Sequence, residues 1–288
     1  MPKLKRSGEM PKRQAEGESR SNRYQAIIER IFFNHYRGGL KELEFEREEM
    51  ITVARKLGIP LPKNPGDVLY SSRFRSNLPA RILETQPEGK AWVIELAGRA
   101  KYRFRLLQGG GRIIPRDDLV IIKIPDATPE IIASYALSDE QALLAKLRYN
   151  RLIDTFLGIT AYSLQNHLRT TVASLGQIEI DELYVGIDKR GAHYIVPVQA
   201  KGGSDFLSTV QASQDVAWCK SAFPTLRCRP VSAQFMNEEV IALFELVSDG
   251  QELAIAEEKH YKLVPAEEVP EEQKRNYSSG RNAGRLAH

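Results

Sequence analysis

Hydrophobic and polar residues alternate over residues 178–187, which predicts a β-strand. Residues 193–200 are almost continuously apolar, as expected for a second strand that is buried on both faces. Between the two runs, Asp188 suits the first position of a type I turn, and Gly191 suits the left-handed position that closes a three-residue loop. The pattern therefore predicts a tight antiparallel hairpin.

The loop of this hairpin decides which residues face each other. With residues 189–191 as the loop, Asp181 lies opposite Gln199, and Glu179 lies opposite Lys201. Directly opposed residues of an antiparallel pair point to the same face of the sheet. This register therefore gathers four polar side chains at the open end of the hairpin.

A shorter loop of Arg190 and Gly191 would shift the pairing by one residue and place Glu182 opposite Gln199 instead. We prefer the three-residue loop because Asp188 and Gly191 both suit it. Glu182 is therefore the alternative candidate for a site residue on this hairpin.

Carboxylate and amide groups beside a lysine are costly to bury at the end of an apolar sheet unless they serve a purpose. Their oxygen atoms suit Mg²⁺, which keeps several waters and typically takes one or two carboxylates. A lysine beside such an ion can orient or deprotonate a water molecule and stabilise charge that develops on a phosphate. The alternative is an ordinary cross-strand ion pair between Asp181 and Lys201.

Asp181 on one strand and the triplet Gln199-Ala200-Lys201 on the next resemble the PD-(D/E)XK nuclease superfamily, which has the restriction-endonuclease-like fold. The resemblance covers residues 138–265 and implies an α/β core built on a mixed sheet. It also implies that Asp181, Gln199 and the carbonyl group of Ala200 bind Mg²⁺, for which Mn²⁺ can substitute. Lys201 would assist the attacking water.

The sequence departs from the family pattern at two positions. Ile180 stands in place of the proline that precedes the aspartate, which is a minor variation. Gln199 replaces the second acidic residue, so the site lacks one negative charge and one strong Mg²⁺ ligand. Glu179 would supply the missing carboxylate as a catalytic and metal-binding residue in the preferred register, and Glu182 would do so in the other.

A helical pattern follows over residues 206–223, and a strand is predicted over residues 226–235. Gln211 and Gln214 recur on this helix at helical spacing. In the superfamily, a glutamine on the helix after the catalytic strand faces the site or the DNA backbone. The alternative for both residues is a solvated helix face.

The N-terminal part of the chain is predicted to be mostly helical. Helices are expected over residues 23–36, 46–57, 67–74 and 79–85, and strands over residues 91–97 and 102–107. This order resembles a winged helix-turn-helix over residues 23–107, in which a recognition helix enters the major groove and the wing touches the backbone. The resemblance implies that Arg73, Arg75 and Arg81 contact DNA; a solvated face is the alternative.

The remaining pattern divides the chain. Further elements are a strand over residues 119–124, helices over 131–137, 141–156 and 163–172, and strands over 240–247 and 252–263, with a capping box at 138–141. The proline-containing break at 125–129 is the expected domain boundary. We therefore predict a disordered basic arm (1–22), a winged-helix-like domain (23–125), a nuclease-like domain (126–265) and a disordered tail (266–288).

Composition adds little to this picture. The 288 residues are 42% hydrophobic, which is enough for two cores. Residues 1–23 contain seven Lys or Arg residues against three acidic residues, so this arm can hold phosphates. Cys219 and Cys228 form no CxxC pair, which argues against a zinc site or a disulfide framework. We find no signal peptide or long apolar span and expect a cytoplasmic protein with no membrane partner.

Together these features predict a Mg²⁺-dependent DNA endonuclease that hydrolyses phosphodiester bonds, of restriction or phage-defence type and compatible with a homodimer. Two alternatives stay open. A non-catalytic DNA-binding regulator with a degenerate nuclease core is favoured by Gln199, which replaces an acidic residue. An RNA-specific or junction-specific nuclease would share the chemistry but not the substrate.

Overall fold

The computed structural model describes residues 12–74, 76–135, 140–172, 175–202, 205–236, 240–249 and 252–278. The chain divides into two compact units, Met1–Gly110 and Gly111–His288. The boundary comes earlier than the break at 125–129 predicted from the sequence. The reason is that the strand Ile121–Pro125 pairs with Glu252–Val264, so it belongs to the second unit.

The first unit combines helices with a small antiparallel sheet. Its described elements are, in chain order, α1 (Lys12–His35), β1 (Glu42–Glu46), α2 (Arg47–Leu57), α3 (Gly66–Phe74), α4 (Ala80–Leu83), β2 (Lys90–Gly98) and β3 (Lys101–Gln108). The strand order is β1-β3-β2, with antiparallel pairing throughout. β1 was not predicted from the sequence, although its alternating pattern buries Leu43 and Phe45 and exposes the glutamates between them.

Helix α1 supplies the centre of the first core. Ile28 and Phe32 are fully buried, in agreement with the apolar stripe predicted for this helix. The ring of Phe32 meets Trp92 of β2 and Phe104 of β3 edge-on, at centroid distances of 5.2 and 5.1 Å. These aromatic contacts tie the helix to both strands of the hairpin.

The second unit is built on one large sheet. Its described elements are, in chain order, β4 (Arg112–Ile113), β5 (Ile121–Pro125), α5 (Glu130–Ala133), α6 (Glu140–Tyr149), α7 (Leu152–Leu157), β6 (Thr160–Val172), β7 (Gly176–Ile187), β8 (His193–Lys201), β9 (Leu207–Ser208), α8 (Thr209–Ala222), β10 (Arg227–Cys228), β11 (Val231–Phe235), β12 (Val240–Asp249), β13 (Glu252–Val264) and α9 (Glu271–Ser278).

The strands of this sheet follow the order β5-β13-β12-β11-β8-β7-β6, and β10 pairs with β8 off this path. β8 is parallel to β11 and antiparallel to β7, so the sheet is mixed and the predicted α/β class is confirmed. Leu143 of α6 packs in one cluster with Val196 and Val198 of β8. Cys219 of α8 packs with Ile195 of β8, in a second cluster. Because side chains alternate along a strand, α6 and α8 cover opposite faces.

Residues 163–172 form a strand, so the helix predicted there is wrong. β6 pairs with β7 from Thr160 opposite Ile187 to Val172 opposite Gly176, with a register shift between Ser163 and Gln165. The pairing satisfies most of the β6 backbone groups that face β7, and this outweighs the weak helical pattern of a largely exposed segment.

The chain ends also differ from the sequence prediction. α1 begins at Lys12, inside the predicted basic arm, and residues 1–11 lie outside the described residues. α9 lies inside the predicted disordered tail, and the hydroxyl group of Tyr277 accepts a hydrogen bond of 3.1 Å from the backbone of Lys123. None of the described helices is long and apolar enough to cross a lipid bilayer.

Candidate functional site

The loop between β7 and β8 sets the register of the hairpin. Asp188 accepts hydrogen bonds from the backbone N–H groups of Arg190 and Ala192, at 2.8 and 3.0 Å, and Gly191 has φ +81°. These are the contacts of a three-residue loop. The ladder runs from Ile187 opposite His193 to Glu182 opposite Val198. The three-residue register is therefore confirmed, and the register that pairs Glu182 with Gln199 is wrong.

The backbone pairing of β7 with β8 ends at Glu182 and Val198, and the next contact between the two strands is made by a side chain. The backbone N–H of Ala200 donates a hydrogen bond of 2.8 Å to Oδ2 of Asp181. The carbonyl group of Ala200 faces the same neighbour, because the N–H and C=O groups of one strand residue point to the same side. The Asp181 carboxyl group and the Ala200 carbonyl group are therefore neighbours at the end of the hairpin.

Lys201 is almost completely buried at this end of the sheet. Its side chain is 3% exposed, and its Nζ lies 2.9 Å from Oε1 of Glu140, the first residue of α6. The Glu140 side chain is 35% exposed, so the ion pair lies at the border between the protein interior and solvent. Lys201 also acts on Asp181, whose pKa its positive charge lowers.

Burial raises the pKa of Asp181 to about 6, and this effect outweighs the opposing effects of Lys201 and the Ala200 N–H group. The negative charges of Glu140 and Glu179 raise the pKa further. Asp181 therefore changes its protonation state near neutral pH, and a cation bound beside it would favour the ionised form.

The Gln199 side chain is held in one orientation. Its Nε2 donates to Oδ2 of Asp215 at 2.6 Å and to the backbone carbonyl of Glu179 at 3.0 Å. Its Oε1 accepts a hydrogen bond of 2.6 Å from Nε2 of Gln211. The two acceptors fix the amide nitrogen, so Oε1 must face Gln211. One lone pair of Oε1 is left for a further partner.

Asp215 of α8 is the second buried carboxyl group of the site. It is 1% exposed, and burial raises its pKa well above the usual range. Its Oδ1, Oγ of Ser232 and Oε1 of Gln234 are buried without a hydrogen-bond partner among the described residues. Ser232 lies opposite Gln199, and Gln234 lies opposite Lys201, on the parallel strand β11. Unsatisfied buried atoms of this kind point to a ligand or water between these side chains.

The two glutamates proposed as substitutes for the missing acid have different positions. Glu179 is 40% exposed and interacts through its carboxylate with Arg169 and His167 of β6, at 3.3 and 3.7 Å. Its negative charge nevertheless reaches Asp181, whose pKa it raises. Glu179 therefore lies beside the site, and only its backbone carbonyl joins the hydrogen-bond network of Gln199.

Glu182 is not part of this cluster. It is fully buried on the opposite face of β7, where Oε1 accepts hydrogen bonds from Nε of Arg148 at 2.9 Å and from Oγ of Ser163 at 2.6 Å. Adjacent residues of a strand point to opposite faces, so the confirmed register separates Glu182 from Asp181. The alternative assignment of Glu182 as a catalytic residue is therefore corrected.

The described residues among those proposed to bind DNA have different environments. Gln211 belongs to the site, and Gln214 is buried. Arg73 donates from Nε to the backbone carbonyl of Ile94, and burial lowers its pKa to about 10. Arg81 pairs with Glu29 of α1 at 2.6 Å and lies over the ring of Phe33. Arg75 lies outside the described residues.

The donor set fits a weakly held Mg²⁺ ion. In the part of the chain that the structure describes, no group of three or more His, Cys, Asp or Glu side chains is arranged to hold a metal. Mg²⁺ needs fewer protein ligands, since it keeps several waters and takes one or two carboxylates. The Asp181 carboxylate and the Ala200 carbonyl supply such oxygen atoms, and Oδ1 of Asp215 has no other partner among the described residues.

Glu140 and Asp215 were given no role on the basis of the sequence. Glu140 lies in the predicted capping box, and Asp215 directly follows Gln214 in the predicted helix. A signal for Asp215 existed, because it lies three residues after Ala212 and four residues before Cys219, which are buried on the apolar side of α8. A charged residue on that side of a helix needs a buried partner.

The chain was compared with protein-family models, with curated proteins and with solved structures. No family model, no curated protein and no solved structure matches it.

Proposed function

We propose that this protein is a Mg²⁺-dependent endonuclease that hydrolyses phosphodiester bonds of DNA. The proposal is carried by one arrangement at the end of the β7–β8 hairpin, where the Asp181 carboxyl group binds the Ala200 backbone and Lys201 is buried beside it. A carboxylate, a carbonyl and an ammonium group at the ends of two adjacent strands are the groups that metal-assisted phosphodiester hydrolysis needs.

Asp181 and the carbonyl group of Ala200 would hold the ion, which supplies positive charge to the phosphate group when it is bound. Lys201 would orient the attacking water and stabilise the negative charge that develops on the phosphate. Its burial keeps the ammonium group away from bulk solvent, where the electrostatic effect of its charge would be weaker. Glu140 accepts a hydrogen bond from Lys201 and holds its Nζ in place.

The order of elements supports a restriction-endonuclease-like core. The β7–β8 hairpin is followed by α8 and then by β11, which is parallel to β8. In the superfamily that the sequence resembles, a helix also follows the catalytic strand. Gln211 of this helix bonds to Gln199, so α8 contributes to the site.

The first unit supports the choice of DNA as the substrate. Its order α1-β1-α2-α3-α4-β2-β3 and its β1-β3-β2 sheet support a winged-helix-like domain. Arg99 lies in the turn between β2 and β3, and Lys101 begins β3; both are exposed, at the position of a wing. These two residues are better candidates for phosphate contacts than Arg73, which is bound to β2.

A second candidate function is a DNA-binding regulator without catalytic activity. It is favoured by the hydrogen bonds of Gln199, because Oε1 already accepts from Gln211 and Nε2 is held by Asp215. Gln199 then contributes weakly to ion binding, and β8 itself supplies no carboxylate to the site.

The two functions are separated by incubating the protein with plasmid DNA, single-stranded DNA and RNA, with and without Mg²⁺ or Mn²⁺. We expect cleavage of DNA that requires the ion, and a loss of at least 100-fold (about 2.7 kcal/mol) in Lys201→Met. The matched control is Lys189→Met, which changes an exposed lysine of the hairpin loop and should keep full activity. DNA binding without cleavage of any substrate would favour the regulator, and cleavage of RNA alone would change the substrate.

A further inference from the structure

The two cysteines of the chain lie against each other, although they belong to different elements. Cys219 is on the last turns of α8, and Cys228 is on β10, which pairs with β8. Both pack in the hydrophobic cluster that contains Leu183 and Ile195, and their thiol groups are in hydrogen-bonding contact. No other cysteine is present in the sequence, so neither has another intrachain disulfide partner.

The environments of the two thiols differ in a way that assigns their roles. Cys219 is fully buried, whereas Cys228 is partly exposed. The hydrogen bond from Cys219 lowers the pKa of Cys228, and the positive charge of Lys220 acts in the same direction. The same hydrogen bond and burial raise the pKa of Cys219. Burial acts in the opposite direction on Cys228 but does not outweigh these effects. Cys228 is therefore the more exposed thiol with the lower pKa, and Cys219 is the protected thiol behind it.

We propose that Cys228 and Cys219 form a reversible intrachain disulfide when the protein meets a two-electron oxidant of the peroxide class. The contact between the thiols, their separation on two elements and the exposure of Cys228 alone carry the proposal. It does not depend on nuclease activity.

The reaction is balanced in two steps. The thiolate of Cys228 attacks one oxygen of hydrogen peroxide, the O–O bond breaks, and Cys228 becomes a sulfenic acid while hydroxide leaves. The sulfur of Cys219 then attacks the sulfenic sulfur, the S–O bond breaks as the S–S bond forms, and the hydroxyl group leaves as water with the proton of the Cys219 thiol. One peroxide molecule is reduced, and the two thiols together lose two electrons. A thiol reductant reverses the change.

The experiment uses the full-length chain, reduced and then treated with a small excess of hydrogen peroxide. Trypsin cleaves after Lys220 and after Arg227, so the two cysteines fall in separate peptides unless a disulfide joins them. We expect the joined peptide by mass spectrometry, loss of both titratable thiols after denaturation, and recovery of both with a reductant. The protein should run as a monomer on a non-reducing denaturing gel.

Two variants test the assigned order. In Cys219→Ser, oxidation should stop at the sulfenic acid of Cys228, which a dimedone probe captures. In Cys228→Ser, Cys219 should stay reduced under the same treatment, because it is fully buried. The proposal is overturned if the joined peptide is absent while Cys228 is oxidised further. It is also overturned if disulfides form only between chains, or if Cys219 in Cys228→Ser reacts as fast as Cys228 does.

Discussion

The side-chain amide of Gln199 donates a hydrogen bond of 2.6 Å to the carboxyl group of Asp215. This contact explains why glutamine suits a position where the resembled family carries an acid. A carboxylate at position 199 would face Asp215 and the backbone carbonyl of Glu179, which are both acceptors. The amide on β8 is therefore matched to the acid on α8, which accepts its hydrogen bond.

Gln199→Glu should consequently destabilise the protein instead of restoring a better site. We expect a loss of about 1–3 kcal/mol in the free energy of unfolding, since two donated hydrogen bonds are lost and a second carboxylate is buried. The exchange variant Gln199→Glu/Asp215→Asn should recover most of that loss, because the new amide on α8 can donate to the new carboxylate on β8. Denaturant unfolding of the single and double variants measures the coupling. If the double variant loses as much free energy of unfolding as the two single variants together, residues 199 and 215 are not coupled.

Asp181 should make stability depend on pH in a defined window. Its pKa is raised from 3.8 to about 6, so the folded state holds a proton that the unfolded state has released. The associated stabilisation is complete below pH 3.8 and is lost as the pH rises to about 6, with at most about 3 kcal/mol involved. Asp181→Asn should lack this loss. Melting curves of the wild type and of Asp181→Asn from pH 4 to 8 in EDTA test this prediction. A difference in melting temperature between the two proteins that stays constant over this pH range would refute it.

Glu182→Gln should spare DNA cleavage, because Glu182 lies on the opposite face from Asp181. The substitution should lower the free energy of unfolding by about 1–3 kcal/mol, because the Arg148 guanidinium then donates to a neutral acceptor and side chain 182 is fully buried. Asp181→Asn in the same cleavage assay is the comparison and should be inactive. Loss of cleavage in a stably folded Glu182→Gln variant would assign the carboxylate to the site after all.

Glu140→Gln should weaken both stability and activity. Lys201 would keep its buried charge while its ion-pair partner becomes neutral, which we expect to cost about 1–3 kcal/mol, less than for a fully buried pair because Glu140 is partly exposed. The pKa of Asp181 should fall, since the charge of Glu140 raises it. The pH titration of stability therefore moves to lower pH. If the pH dependence of stability is unchanged in Glu140→Gln, the charge of Glu140 does not act on Asp181.

Arg73 and Arg75 should respond differently to substitution. Arg73→Ala removes a hydrogen bond to the Ile94 carbonyl and the packing of its stem, so it should destabilise the first unit by about 1–3 kcal/mol. Its effect on the salt dependence of DNA binding should be small. Arg75→Ala, if this residue contacts a phosphate, should reduce the salt slope by about one. If both variants change the salt dependence of DNA binding by the same amount, Arg73 contacts DNA as well.

Local sequence determined the hairpin and its register, because the chemistry of a tight turn lies within a few residues. Asp188 and Gly191 select a three-residue loop, and the two-residue period of a strand then sets which side chains share a face. The meeting of Asp181 with residues 199–201 could be predicted for this reason. Helix α2 was equally predictable from its apolar stripe and from Gly58, which follows the helix with φ +67°.

Tertiary structure decided what local pattern left open. Residues 163–172 became a strand because the edge of β7 offered hydrogen bonds along most of their length, and their own sequence favours neither state strongly. The partners of the site residues were undetermined for a similar reason. Glu140 reaches Lys201 from α6, and Asp215 reaches Gln199 from α8. These contacts depend on how two helices dock on opposite faces of one sheet, a long-range arrangement that no local spacing encodes.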